Sequence, residues 1–257
     1  MKLPSIRISL VLVAILIFVV GASVFLIPDH LGTAVWHLTK NEELALWLNE
    51  SPALARQVGN YYFGGGAYNL QRARDAYEKT LLRDPSTPLT HYQIGRVYFI
   101  EGNLSKALEE INLEIAISGN PHAFYVRGLI YGYVGLFSAA EEDFKRFVQE
   151  RPYVWAGYND LAWIQAKQAK FLDARQTIFT GFGAVPSARD NNPWLWASLG
   201  TIHLNLKKYE EAEEAFQRAL AMAKSITPEY FLSAYPGNDQ RQASHAYKQF
   251  LATLHFN

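Results

Sequence analysis

The chain of 257 residues contains no cysteine. That absence excludes disulfides, thiolate catalysis, cysteine-ligated metal and a lipidated cysteine, and leaves the redox compartment open. It carries no net charge either, with 24 basic side chains against 24 acidic ones. Such a balance gives no reason to expect nucleic acid or an anionic membrane surface as partner. Charged residues make up only 19%, against 49% hydrophobic, which supplies apolar surface for a core and argues against disorder.

The motifs of common chemistry are missing too. The seven histidines, His30, His37, His91, His122, His203, His245 and His255, form no H-x3-H or H-E-x-x-H pair. They read as structural side chains, with His91 and His203 at packing positions and His122 near the binding face proposed below. Gly64-Gly65-Gly66 lacks the spaced lysine and serine or threonine of a phosphate loop. Phe182-Gly183-Ala184-Val185 lacks the serine of a nucleophile elbow. Carboxylates gather in runs such as Glu109-Glu110 and Glu141-Glu142, which read as solvated helix faces. No catalytic, cofactor-binding or metal-binding residue is expected, and the chain reads as a non-enzyme. Asn49-Glu50-Ser51 and Asn103-Leu104-Ser105 match the N-glycosylation triplet, a pattern that arises often by chance.

One long apolar run is present. Ile8 to Ile27 is interrupted only by Ser9, Gly21 and Ser23. Twenty residues at about 1.5 Å each give roughly 30 Å, the thickness of a hydrocarbon core. A cleaved signal is the competing reading, because Val20-Gly21-Ala22 offers a cleavage site; its apolar region is normally about 7–15 residues, and this run continues past Ala22. The expectation is a retained single-pass anchor over residues 1–28. Lys2 and Arg7 precede it and no Lys or Arg follows until Lys40, so the positive-inside rule places the N-terminus in the cytoplasm and the rest of the chain across the membrane, in the periplasm if the source is Gram-negative.

The strongest signal is a repeat. Ala73 recurs at Ala107, Ala140, Ala174 and Ala212, at intervals of 34, 33, 34 and 38 residues, the period of a helical array. Gly128, Tyr131, Gly135, Phe137, Ala140, Phe144 and Pro152 follow the pattern W-x2-L-G-x2-Y…A-x3-F…P almost completely. Gly95, Tyr98, Gly102, Leu104 and Ala107 repeat it one unit earlier. Leu161, Ala162, Ala169, Phe171 and Ala174 repeat it one unit later, and Trp196, Leu199, Gly200, Tyr209 and Ala212 in the last unit. The first unit has Gly59, Tyr62, Ala73, Tyr77 and Pro85, with two extra residues at Gly64–Ala67 expected to form a longer, mobile turn.

On these residues the chain resembles the tetratricopeptide repeat (TPR) family. The resemblance implies an all-α, right-handed superhelical solenoid of about five helix hairpins, at about 52–87, 88–120, 121–151, 152–186 and 193–224. A juxtamembrane helical segment is expected over 29–51, with Leu44, Trp47 and Leu48 on one side of a helix from Asn41, covering the first repeat or resting on the bilayer. A C-terminal loop and capping helix are expected over 225–257, with Asn238 or Asp239 as cap and an apolar stripe of Ala243, Ala246, Tyr247, Phe250, Leu251 and Leu254.

The resemblance also implies a working surface, the concave face lined by the first helix of each unit. Counting from the small residue of each first helix turns Arg56, Asn60 and Phe63 inward from the first unit, and Tyr92, Arg96 and Phe99 from the second. The third contributes Tyr125, Leu129, Gly132 and Tyr133, the fourth Asn159, Trp163 and Lys167, and the fifth Ala197, Thr201 and Leu204. The partner-binding set is taken as Arg56, Asn60, Tyr92, Arg96, Phe99, Tyr125, Leu129, Asn159, Trp163 and Lys167. The expected partner is a protein or peptide bound without a cofactor, and the expected function a membrane-anchored scaffold for assembly, secretion or maturation of envelope or membrane proteins. The alternative is a permanent structural subunit of a larger membrane complex.

Overall fold

The repeat alanines mark helix crossings. Ala73, Ala107, Ala140 and Ala174 are fully buried and Ala212 nearly so. Four residues after each lies a large side chain that meets a small residue on the preceding helix. A Cβ added at Gly59 would lie 2.5 Å from the Tyr77 ring, and one at Gly95 would lie 2.7 Å from Ile111. The same pairing joins Gly128 to Phe144 and Gly200 to Phe216. Any side chain at these glycines would push the two helices apart.

The computed structural model describes residues 28–223. The apolar run Ile8 to Ile27 and the expected capping helix after Asn238 lie outside the described residues. Among the described residues there are thirteen helices and no strand, and no helix is long and apolar enough to cross a membrane.

The helices are α1 Pro28–Thr39, α2 Glu42–Leu48, α3 Pro52–Tyr62, α4 Leu70–Arg83, α5 Thr90–Ile100, α6 Leu104–Ser118, α7 Pro121–Tyr133, α8 Phe137–Glu150, α9 Trp155–Lys167, α10 Phe171–Ala184, α11 Pro186–Asn191, α12 Pro193–Asn205 and α13 Tyr209–Ala223. Five hairpins follow from them: α3–α4, α5–α6, α7–α8, α9–α10 and α12–α13. Ser51, Asn120 and Asn192 cap α3, α7 and α12 through their side chains, each followed by a proline in the first turn, where a missing N–H costs nothing.

The α5 start is built differently. Leu89 stands at its N-cap in the left-handed region, φ 68°, with no side-chain cap. The carboxylate of Glu114, fully buried on α6, supplies what Leu89 cannot, accepting the N–H groups of Leu89 at 3.1 Å and Tyr92 at 3.2 Å.

Three departures from expectation concern connections. The longer turn of the first unit is tied down rather than free: Gly65 N–H bonds to Asn60 O, Gly66 and Ala67 both bond to Tyr61 O, and Phe63 pairs with Tyr68 as an isolated bridge. The 38-residue interval before Ala212 is taken up by α11, which inserts Ala188 into the core between α10 and α12. The segment before the first repeat holds two helices rather than one. In that hairpin Gly32 of α1 sits against Ala45 and Asn49 at the end of α2. Trp36 is buried edge-on to Tyr61 at 5.2 Å, so the hairpin does cover the first repeat, while Leu44 and Trp47 are exposed.

A run read as solvated turns out otherwise. Glu141 is buried and paired with Lys145 and with Lys170 of the next unit, both at 2.7 Å. Gln168 Nε2 also donates to it at 2.8 Å. Lys145 is a local partner, one turn along the same helix, but Lys170 and Gln168 arrive from the neighbouring hairpin, which no local charge pattern announces.

Candidate functional site

The first helices define the inner face. α7 touches α5, α9 touches α7, and α12 touches α9, whereas each second helix meets the first helix of the next unit. A row whose members touch one another lies on the shorter radius, so α5, α7, α9 and α12 line the inside of the curve, and α3 joins the row through Asn60–Gln93 and Arg56–Pro88 hydrogen bonds to α5 and the loop before it.

All ten expected partner-binding residues stand on these helices, and none is buried. Asn60 and Lys167 are exposed, and the other eight are partly so. Phe63, counted as turned inward, is instead buried beneath the Arg96 guanidinium, which lies 4.5 Å from its ring.

Across the first two units the inner face carries a chain of polar contacts. Asn60 Oδ1 accepts from Tyr77 Oη at 2.8 Å and from Gln93 Nε2 at 3.2 Å. Gln93 Oε1 in turn accepts from Arg96 Nη1 at 2.9 Å. Arg56 Nη1 donates to the Pro88 carbonyl at 3.2 Å. Arg96 also stands 5.4 Å from the Tyr92 ring. Burial pushes the Tyr92 phenol above its ordinary value, with Arg96 opposing.

In the middle of the array aromatic rings take over. Phe99 meets Tyr133 edge-on at 5.6 Å, and Tyr133 remains 70% exposed. His122 lies between Tyr92 and Phe147, at 6.4 and 5.5 Å. Burial, then the charges of Arg151 and Arg96, push its pKa down. It therefore presents a neutral imidazole at neutral pH. Gly132 leaves room for Trp163, since a Cβ there would lie 2.9 Å from that ring.

The third, fourth and fifth units are joined by a polar seam. Tyr125 Oη donates to Asp160 Oδ2 at 2.5 Å, across from α7 to α9. Asn159 Nδ2 donates to the other Asp160 oxygen at 3.1 Å, and Ser198 Oγ of α12 donates to Asn159 Oδ1 at 2.7 Å. Burial raises Asp160 to about 6 despite hydrogen bonds that lower it. Tyr125, whose ring also packs on Phe144 and Phe147, is thus committed to holding neighbouring units together. Asp160 and Ser198 were not singled out from the sequence. The available signal was the one carboxylate of this first helix, set directly before Leu161.

Chemically this face offers aromatic rings, amides and cations. Among the described residues no group of three His, Cys, Asp or Glu could hold a metal ion. Lys167 enters no ion pair among them. Such a surface suits recognition of an extended chain by stacking and hydrogen bonding.

Two family models match, both described as tetratricopeptide repeat, over residues 65–121 and 193–225. A comparison with curated proteins finds no match. Among solved structures, pilF of Pseudomonas aeruginosa superposes with a TM-score of 0.60 at 16% identity, covering 80% of this chain and 92% of that one. MamA from Desulfovibrio magneticus RS-1, from residue 41 to its end, gives 0.59 at 15% identity over 68% and 96%. YrrB, a TPR protein with an unusual peptide-binding site, gives 0.56 at 16% identity over 84% and 97%. Residues 65–121 and 193–225 thus match tetratricopeptide repeats, and the chain folds as an all-α TPR solenoid.

Proposed function

We propose that this chain is a non-catalytic scaffold that holds a polypeptide along its inner face, between the Arg56–Arg96 end and the Trp163–Lys167 end. The observation that carries this reading is the run of unburied aromatic, amide and cationic side chains on consecutive first helices. Aliphatic residues would satisfy packing there, whereas rings that can be desolvated make binding hot spots. YrrB, with its peptide-binding site, shares the architecture. The apolar run Ile8 to Ile27 tethers the array to a membrane with the N-terminus cytoplasmic, and residues 225–257 close the far end. In that setting the scaffold serves assembly, secretion or maturation of envelope or membrane proteins.

Photo-crosslinking residues placed one at a time in cells test this. Positions 99, 133 and 163 on first helices should crosslink to a polypeptide. Positions 113, 117 and 179, exposed apolar sites on the second helices α6 and α10, should not. Crosslinks confined to the second helices would replace this reading with that of a permanent subunit of a larger complex.

A further inference from the structure

The two-helix cap leaves apolar side chains in solvent that its own packing does not need. On α1, Leu31, Ala34 and Leu38 follow at three and four residues and all are exposed, Leu38 at 85%. On α2, Leu44 and Trp47 are exposed, Trp47 at 73%. The covering of the first repeat is done by other positions, Trp36, Ala45 and Leu46, all buried. A large ring and several leucines held in water by a small cap point to a surface that meets something.

Chain order says what it meets. α1 opens at Pro28, the residue after the apolar run Ile8 to Ile27, with no linker between them. If that run spans a bilayer, α1 begins at the boundary of its hydrocarbon. The antiparallel α2 runs back alongside α1, Gly32 lying against Ala45 and Asn49, so Trp47 stands level with the first turns of α1 and both helices can lie on one surface. Lys40 is offset by Glu42 and Glu43, which leaves apolar insertion rather than charge as the attraction. Tryptophan is the side chain favoured where hydrocarbon gives way to headgroups.

The geometry points to a lipid interface as the occupant of this surface: the α1–α2 cap lies on a zwitterionic bilayer, with Trp47 and Leu44 in the headgroup–acyl boundary and Leu31, Ala34 and Leu38 along the surface. This rests on the anchored reading and adds to it that the solenoid is held at a fixed attitude by its first hairpin, not hung on a flexible tether.

The absence of cysteine makes the test direct. Full-length Trp47→Cys, Leu38→Cys and Leu172→Cys chains, nitroxide-labelled, are reconstituted with phosphatidylcholine vesicles. Collision rates with oxygen and with a nickel chelate are then measured. All three sites are exposed, so the substitutions touch no core, and Leu172 lies three repeats away. The oxygen-to-nickel ratio should rise at positions 47 and 38 and keep its aqueous value at 172. Water-like ratios at 47 and 38 in a chain that floats with the vesicles would overturn the seated cap and leave the anchor intact. A chain that does not float would overturn both.

Discussion

The carboxylate of Glu114 caps the helix that carries Tyr92, its Oε2 lying 3.2 Å from the Tyr92 backbone nitrogen. One inner-face aromatic is therefore oriented by an acid on the second helix of its own hairpin. The acid is held in turn by Ser118 Oγ at 2.5 Å.

Replacing that acid should be costly. Glu114→Ala leaves the N–H groups of Leu89 and Tyr92 without an acceptor inside the fold, and an unsatisfied buried group costs about 1–3 kcal/mol. Urea unfolding should show a lower midpoint, corresponding to a loss of that amount in unfolding free energy. Glu109→Ala, at an exposed position on the same helix, should change it little.

The turn between first and second helices places one residue in the left-handed region in four units: Gly102 at φ 78°, Gly135 at 82°, Ala169 at 58° and Lys207 at 59°. Alanine and lysine bear a strain there that glycine avoids. Ala169→Gly and Lys207→Gly should each raise stability by up to about 1 kcal/mol, against the usual penalty of adding glycine. Gly135→Ala should lower it by a similar amount, through backbone strain alone, since nothing lies within 4 Å of the added carbon. Thermal melts of the three variants read this directly.

Two carboxyls should give the array opposite responses to pH. Burial acts to raise Glu141, but hydrogen bonds from Lys145, Lys170 and Gln168 outweigh it and lower it from 4.5 to about 2. Its contribution is fully present above its unfolded value and is lost as pH falls toward 2. Asp160 is raised from 3.8 to about 6 by burial. Its contribution is fully present below 3.8 and is lost as pH rises through 6. Glu141→Gln should therefore flatten the acid limb of a stability–pH curve. Asp160→Asn should gain on the parent between about pH 4 and pH 7, by at most about 3 kcal/mol. Curves that move together in both variants would contradict these assignments.

Much of the fold was legible because a helix crossing tolerates only small residues. Ala107 and Ala140 cannot drift without parting two helices, so their period survives in the sequence. A helical segment over 29–51 was expected, but its division into two helices was not legible, since the buried positions of α1 include Gly32 and Trp36 but no continuous apolar stripe. Glu114, Glu141 and Asp160 resemble surface acids in any local window. Partners such as Tyr92, Lys170 and Tyr125 come from outside the helix that carries the acid, and only the packed hairpins bring them together. For the inner face, the first helices were implied by the family resemblance, and Arg96 and Trp163 stand partly exposed on them. It did not foresee that Phe63 would be covered or that Tyr125 would be bonded to Asp160.

The buried clusters succeed one another along the chain: Trp36 to Val97, then Ala107 to Ile130, Ala140 to Ile164, and Ala162 to Ala223. None waits for a distant stretch of sequence. As the polypeptide leaves the ribosome, each hairpin can bury its apolar side on the one just made. Newly exposed surface at any moment is then limited to a single unit. The order of synthesis and the order of assembly can coincide, from the two-helix cap to the last hairpin.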